Sequence, residues 1–401
     1  MIFWIMPDNA ERTQSIMENF LKDFKKENPS VNIKIEVINR ATLWNKIFSL
    51  RHQIGTEKGP DLVAMPHYWT ELLIKAGVLV NLTEFDKTFR VDNYLEILRP
   101  HCYKKGTSDI YSVPWWFDIT ALHYREDHLK QISDTPQELL STWQGMLEAC
   151  KKLKERFSEV EGYFPMQNSD WRGSLSHRSV LPCIWSRGGF LMDEKENLSG
   201  FNVLGTRQGI EDFATLALKG YMPILRERSS LGTISSGYAS MIMTRRQGIA
   251  MFEGQKANFE VKTLPIPKTG ASSINYLDAT NLALIKGAHQ AEAALLLKWL
   301  TKPENQIQYS VLTEVFPALE ASFENFLISS PVRVQNYTKI LATARALQSH
   351  IASGTLMEML GEVMTNTSSD IVRNQYSPEI LEERLLKEQK EADDILSLYR
   401  E

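Results

Sequence analysis

The beginning of the chain alternates between short apolar segments and longer amphipathic segments, and this alternation limits its possible folds more than any other feature. Residues 2–6, 31–37 and 62–65 have the apolar content and the length of strands. Residues 11–26 and 43–52 repeat their apolar side chains at the spacing of a helix. This β-α-β-α-β order favours an α/β fold with a largely parallel sheet and helices on both faces. Ligand sites in such sheets lie at the carboxyl ends of the strands.

The length and charge of the chain indicate a globular protein with two lobes. A chain of 401 residues is too long for one ordinary hydrophobic core. The net charge is −4 and no basic block is present, so we expect no nucleic-acid partner. No apolar run approaches the ~20 residues that a membrane-spanning helix needs. No signal peptide precedes the first strand, so either the protein is intracellular or its targeting segment is absent from this numbering.

The sequence contains no motif that is typical of catalysis, metal binding or cofactor binding. Patterns of the GxGxxG, P-loop, HExxH and GxSxG types are all absent. The histidines lack metal-ligand spacing, and Cys102, Cys150 and Cys183 form no CxxC pair, so we expect buried thiols rather than a metal site. We predict no cofactor, no metal and no enzymatic activity. An acid pair of the glycosidase type that forms only in the folded protein stays open as an alternative.

Residues 111–129 carry the pattern that says most about function. An apolar run and a proline precede three aromatic residues, and one acid, Asp118, follows them. This combination suits a sugar, because aromatic rings cover the apolar face of a pyranose while a carboxylate accepts hydrogen bonds from its hydroxyls. A buried strand with its aromatic side chains in a core is the alternative. Further aromatic residues lie near predicted strand ends, namely Tyr68, Trp69, Trp171 and Trp185.

A series of short motifs runs along nearly the whole chain. Their positions are residues 2–5, 27–29, 59–61, 76–79, 111–118, 142–153, 188–189, 247–251, 291–300 and 315–318. Taken in this order they resemble the extracellular solute-binding proteins of ABC importers. The resemblance is greatest to the carbohydrate-binding branch, which includes the maltose- and trehalose-binding proteins. Each motif is weak alone, and the series in order is much more specific.

The resemblance implies a periplasmic-binding-protein-like fold, in which two α/β lobes are joined by crossing strands and hold a ligand in the cleft between them. The first lobe would comprise residues 1–117 and 268–316, and the second lobe residues 118–267 and 317–401. The hinge would consist of crossings near residues 117–120, 265–268 and 317. Each lobe would therefore be discontinuous in sequence.

The resemblance also implies a function in transport. The chain would be the substrate-binding component of an ABC transporter, binding a mono- or oligosaccharide and delivering it unaltered to the permease subunits. It would act as a monomer in the periplasm or on the outer face of the cytoplasmic membrane, with its signal or lipid anchor absent from this numbering. The ligand-binding residues expected from the aromatic pattern and the resemblance are Asp8, Asn9, Tyr68, Trp69, Trp115, Trp116, Asp118, Ser176, Arg178, Trp185, Glu253, Gln255, Asp278 and Asn281.

Departures from the family pattern leave the identity of the ligand open. Pro66 stands where sugar-binding relatives often have aspartate, and Gln255 or Lys256 where tryptophan is common. Asp278–Asn281 stands where a Gly-Gly pair is frequent. The same fold could hold another solute, such as a polyamine, a peptide, a metal or a glycerophosphodiester, whose phosphate would need Arg172 or Arg178. A glycoside-active enzyme and an interaction protein that has lost its ligand also stay open.

Overall fold

Strands and helices alternate along the chain in the computed structural model, as the sequence predicts for its beginning. The structure describes residues 1–7, 12–47, 49–52, 59–168, 177–224, 234–246, 259–330 and 332–399. The strands are β1 (Ile2–Ile5), β2 (Lys34–Val37), β3 (Leu62–Pro66), β4 (Val113–Arg125), β5 (Phe164–Asn168), β6 (Ala239–Arg245), β7 (Val261–Leu264), β8 (Asn275–Leu284), β9 (Phe316–Pro317) and β10 (Ala344–Ala346).

The helices vary from single turns to long rods. They are α1 (Thr13–Phe20), α2 (Lys22–Glu27), α3 (Arg40–Ile47), α4 (Thr70–Lys75), α5 (Leu82–Phe85), α6 (Glu126–Leu129), α7 (Pro136–Leu139), α8 (Trp143–Arg156), α9 (His177–Ser186), α10 (Leu204–Leu218), α11 (Gln290–Leu300), α12 (Pro303–Thr313), α13 (Glu320–Ile328), α14 (Val332–Gln335), α15 (Tyr337–Leu341), α16 (Ser353–Val372) and α17 (Pro378–Ser397). Short 3-10 helices cover Leu50–His52, His67–Trp69 and Glu96–Cys102.

The chain divides into two compact units, each built from separate stretches of sequence. The first unit comprises Met1–Asp118, Asp278–Ser330 and Ala346–Ser353, and the second unit comprises Ile119–Leu277, Pro331–Arg345 and Gly354–Glu401. The chain first changes unit within β4, next to the predicted crossing. It returns to the first unit at Asp278, within β8. It stays in the first unit up to Ser330, because α13 packs against α12 and β9.

The sheet of the first unit mixes parallel and antiparallel pairs. Strand β1 is parallel to both β2 and β3, which confirms the arrangement predicted for the beginning of the chain. Strand β8 then pairs antiparallel with β3, and β9 pairs antiparallel with the first half of β4. All residues of β3 are buried, as expected for a continuous apolar run in the interior of a sheet. The turn after β3 therefore begins at the carboxyl end of a buried strand.

Aromatic rings form much of the core of the first unit. The ring of Trp115 stacks on that of Tyr309, with centroids 4.3 Å apart and an angle of 27° between the planes. Phe3 lies on the same cluster, 6.2 Å from Trp115. Phe20 bridges Tyr309 and Trp299 at 5.4 and 5.1 Å. These contacts join β1 and β4 to helices α1, α11 and α12.

The second unit is built around the later half of β4. This half pairs antiparallel with β6 and β7, and β6 pairs in parallel with β5. Helix α8 begins at the Thr142 cap, whose hydroxyl accepts the Gly145 N–H at 3.1 Å. Its buried face includes Trp143, Met146 and Leu153, which recur at the spacing of one helix face. The local sequence thus determines both the start and the orientation of this helix.

Cys102, Cys150 and Cys183 are free and buried, and burial raises the pKa of each thiol. Over the residues that the structure describes, no helix has both the length and the apolar character needed to cross a bilayer. The same residues contain no cluster of His, Cys, Asp and Glu that could hold a metal ion.

Buried His123 in the second unit is expected to make this protein less stable in acid. Its ring nitrogens lie 3.0 Å from the Thr263 hydroxyl and 3.2 Å from the Thr244 carbonyl, and burial lowers its pKa to about 4. Since an unfolded histidine titrates near pH ~6.5, the unfolded state binds more protons below that pH. Stability is therefore present above pH ~6.5 and is lost toward pH 4. We expect a loss of about 2 kcal/mol between pH 7.5 and 5.

Urea unfolding at these two pH values measures the difference. The variant His123→Gln should show a smaller loss of stability on acidification than the unchanged protein. Replacement of the exposed His52 by glutamine is the matched control and should leave the difference as it is. An unaltered pH dependence in His123→Gln would contradict the assignment.

Candidate functional site

The predicted ligand residues fall on a small number of elements. Asp8, Asn9, Ser176, Glu253 and Gln255 lie outside the described residues, as does Arg172 of the phosphate alternative. The first unit contains three groups, which are the turn after β3 (Tyr68, Trp69), the first half of β4 (Trp115, Trp116, Asp118) and the beginning of β8 (Asp278, Asn281). Helix α9 of the second unit carries Arg178 and Trp185.

The turn after β3 is an aromatic corner with unused hydrogen-bond donors. Tyr68 and Trp69 are 0% and 2% exposed. The ring of Trp69 lies 5.3 Å from that of Trp44, and the guanidinium of Arg40 lies 5.4 Å from the Tyr68 ring centroid. Among the described residues, neither the Tyr68 hydroxyl nor the Trp69 indole N–H has a hydrogen-bond partner. Buried polar groups are normally hydrogen-bonded. The Tyr68 hydroxyl and the Trp69 indole N–H could therefore each donate to an acceptor of a ligand.

His67, a residue that no sequence motif marks, positions this corner. Its Nδ1 atom lies 3.2 Å from the Ala279 N–H, and its Nε2 atom lies 3.2 Å from the Leu347 carbonyl. Burial lowers the pKa of His67, with Asp278 acting in the opposite direction, so the ring is neutral near pH 7. We assign the proton to Nε2, which then donates to Leu347 while Nδ1 accepts from Ala279. No local sequence signal marks this residue, because its partners are distant in the chain.

Neighbouring residues of β4 face opposite sides of the sheet. Trp115 is 1% exposed and packs on Phe3 and Tyr309, which favours the core interpretation for this residue. Trp116 and Asp118 share the other face, since side chains alternate along a strand. The indole N–H groups of Trp115 and Trp116 both have no hydrogen-bond partner in the described part of the chain, so only the ring packing of Trp115 separates the two. Trp116 and Asp118 therefore stay the ligand candidates of this strand.

The two candidates on β8 also separate. The amide of Asn281 donates to the His101 carbonyl at 3.2 Å and to the Ser112 hydroxyl at 2.9 Å, so its donors are used inside the first unit. Asp278 lies three residues earlier on the opposite face of the strand. Asp278 directly precedes Ala279, whose backbone N–H donates to the Nδ1 atom of His67 in the turn after β3. Asn281 therefore uses its donors inside the first unit, and Asp278 stays the ligand candidate of this strand.

In the second unit, Trp185 packs within a cluster that the sequence did not predict. Its ring lies 5.9 Å from that of Tyr276, and the guanidinium of Arg345 lies 4.8 Å from its centroid. Arg178 precedes Trp185 by seven residues on α9, which puts both on one face of the helix. Tyr276 and Arg345 lie in stretches without any motif, so no sequence signal pointed to them.

The groups in the first unit have the chemistry that complements a polyhydroxylated ligand. Ring faces accept the apolar side of such a ligand, and the indole and phenol groups donate hydrogen bonds to its oxygens. Carboxylates such as Asp118 and Asp278 accept hydrogen bonds from its hydroxyls.

The chain is similar to one protein family and to several solved structures. Residues 19–342 match a family described as bacterial extracellular solute-binding protein. An ABC transporter solute-binding protein of Thermotoga lettingae, solved with α-D-tagatose, superimposes with a TM-score of 0.83 at 15% identity over 99% of both chains. The maltose-bound MalE3 of T. maritima gives 0.81 at 18% identity over 97% of this chain and 98% of its own.

A third similar structure is an ABC substrate-binding protein of Listeria monocytogenes in complex with cycloalternan. It superimposes with a TM-score of 0.82 at 14% identity, over 99% of this chain and 98% of its own. These likenesses show that the chain has the fold of these proteins. The α/β, periplasmic-binding-protein-like fold expected from the sequence is thereby confirmed.

Proposed function

The chain belongs to the bacterial extracellular solute-binding protein family, and on this premise we propose that it binds a carbohydrate and delivers it to the permease of an ABC transporter. Proteins of the same fold have been solved with tagatose, maltose and cycloalternan. The ligand is bound and released without a chemical step. The protein acts as a monomer in the periplasm or at the outer face of the cytoplasmic membrane.

One observation carries the choice of carbohydrate, namely the aromatic corner after β3. Tyr68 and Trp69 combine two buried aromatic rings with a hydroxyl and an indole N–H that lack partners among the described residues. Leaving such a donor buried and unsatisfied costs about 1–3 kcal/mol each. The hydroxyl oxygens of a sugar satisfy these donors, and the neighbouring Asp278 carboxylate accepts the hydroxyl hydrogens. A wholly apolar ligand would satisfy neither donor.

Strand β4 supplies the same combination a second time. Trp116 offers an indole ring whose N–H has no partner in the described part of the chain, and Asp118 follows on the same face of the strand. A ring stacks on the C–H face of a pyranose, while a charged carboxylate orients and selects its hydroxyls. Because a wrongly placed hydroxyl leaves an acceptor unfilled, this pair also discriminates between sugars.

A thermal-shift screen of neutral mono- and disaccharides tests the proposal, with spermidine and short peptides as the competing solutes. A carbohydrate that binds only the folded protein raises its melting temperature, and calorimetry then gives the affinity. An assay with aryl glycosides should show no turnover. A shift with spermidine or peptides and none with any carbohydrate would contradict the proposal.

The variant Tyr68→Phe makes the test specific for the site, because it removes only the hydroxyl that lacks a partner among the described residues. The free variant should be as stable as the unchanged protein or more so. Its affinity for the best carbohydrate of the screen should fall by about 3- to 10-fold, the usual contribution of one neutral hydrogen bond. An unchanged affinity would exclude the Tyr68 hydroxyl from the ligand site.

A further inference from the structure

The second unit holds a partly buried arginine against an aromatic wall. The guanidinium carbon of Arg345 lies 4.8 Å from the ring centroid of Trp185. Tyr276 lies 5.9 Å from Trp185 at an angle of 32° between the rings, and His177 contacts Tyr276 at 5.0 Å. Trp185 is itself 5% exposed. The outermost group of this cluster is therefore the guanidinium, not the indole ring that the sequence analysis expected to meet the ligand.

The backbone around Arg345 is fixed by Asn275, the first residue of β8. The Asn275 N–H donates to the Thr343 carbonyl at 3.0 Å, and its side-chain amide donates to the Thr343 hydroxyl at 2.6 Å. The same side chain accepts the Ile266 N–H at 2.8 Å. Asn275 is fully buried, so these bonds are shielded from water. The position of Arg345 beside Tyr276 and Trp185 is thus built into the fold of the unit.

The charge of Arg345 has no counterpart among the described residues of the cluster. Among the described residues, the guanidinium of Arg345 forms no hydrogen bond. No carboxylate oxygen of these residues lies within 4.0 Å of it, the distance that defines an ion pair. Burial lowers the pKa of Arg345, and the charge of the exposed Glu194 acts in the opposite direction. A cation that is partly removed from water without an anionic partner is destabilising, and an anion bound there relieves this. A guanidinium also offers a planar fork of N–H groups that fits two oxygens at once.

We propose that Arg345 binds the anionic group of an acidic sugar, either a carboxylate as in a uronic acid or a phosphate ester. This inference rests on the proposed function and narrows its substrate class. Arg345 donates two parallel hydrogen bonds to the oxyanion, while the indole of Trp185 behind it keeps the guanidinium plane in place. Arg178, on the same face of α9 as Trp185, adds a second positive charge to this side of the unit.

Calorimetric titration with matched pairs of ligands tests the inference. The pairs are galacturonate and galactose, glucuronate and glucose, glucose 6-phosphate and glucose, and the corresponding acidic and neutral disaccharides. The unchanged protein should bind the acidic member of at least one pair at least about tenfold more tightly than its neutral counterpart. The carboxylate and phosphate pairs separately identify which oxyanion is preferred.

Variants then assign the preference to Arg345. In Arg345→Gln the ratio of the two dissociation constants should fall close to one, while the neutral sugar binds as before. Arg345→Lys keeps the charge without the fork and should retain only part of the preference. The control Lys339→Gln removes an exposed charge of α15 and should leave the ratio unaltered.

The outcomes separate this inference from the proposed function. Binding of neutral sugars without any preference for acidic ones would overturn the role of Arg345 and leave the proposed function intact. A preference for acidic sugars that persists in Arg345→Gln would also overturn the role of Arg345 and leave the proposed function intact. Failure of every neutral and acidic carbohydrate to bind would overturn the proposed function, and the role of Arg345 with it.

Discussion

Replacing Trp115 by alanine is expected to lower the free energy of unfolding by about 3–5 kcal/mol, the usual loss for a large aromatic residue in a packed core. The Trp115 ring stacks on Tyr309 at 4.3 Å and contacts Phe3, so its removal leaves a cavity at the centre of the first unit. The same substitution at Trp116 is expected to act mainly on ligand affinity, with a loss of about 1–3 kcal/mol of stacking and burial.

Urea unfolding and calorimetry on both single variants separate these two effects. Trp115→Phe serves as a control for size, since a smaller ring still contacts Tyr309 and should restore much of the lost stability. Equal losses of stability in the two alanine variants would contradict the division of β4 into a core face and a ligand face. So would a loss of affinity in Trp115→Ala that exceeds the loss in Trp116→Ala.

Asp118→Asn is expected to weaken carbohydrate binding by about a hundredfold, because a charged acceptor holds a sugar hydroxyl more strongly than a neutral amide does. The substitution keeps the size and shape of the side chain, which is fully buried at the end of the first-unit segment of β4. Calorimetry with the best carbohydrate of the screen measures the change. The melting temperature of the free variant checks that the fold is kept.

Asp92→Asn is the matched control, since it removes an exposed carboxylate of the same unit and should not alter affinity. If Asp118→Asn bound the carbohydrate as tightly as the unchanged protein, Asp118 would not be a ligand residue. If the control weakened binding equally, the effect would come from the overall charge of the unit and not from one hydrogen bond.

Much of the fold of the first unit could be predicted from short stretches of sequence. The strands β1 and β3 are runs of apolar residues, and a buried strand needs such runs because both of its faces meet other side chains. Helix α8 could be predicted from its apolar stripe and its Thr142 cap, which both act within a few residues. The positions at which the chain passes from one unit to the other are harder to predict from the sequence. They depend on tertiary packing between strands and helices that are distant in the chain.

The candidate site was predictable only in part. An acid that follows three aromatic residues in one strand marked β4, and this pattern is visible without any structure. It did not distinguish Trp115 from Trp116, because identical neighbours in a strand differ only in the partners that each face meets. The sequence pattern also did not separate Asp278 from Asn281. Their side chains point to opposite faces of the sheet because strand β8 runs through both positions.

The order of strands and helices, the aromatic and acidic content of the candidate site, and the resemblance to a family can all be read from the amino-acid sequence. These properties depend on side chains that are close together along the chain. Two contacts are visible only in the folded chain. His67 binds the Leu347 carbonyl, 280 residues away, and the guanidinium of Arg345 lies on the ring of Trp185. Such contacts form when a whole unit packs, so the free energy that selects them is shared among many residues and leaves no local pattern.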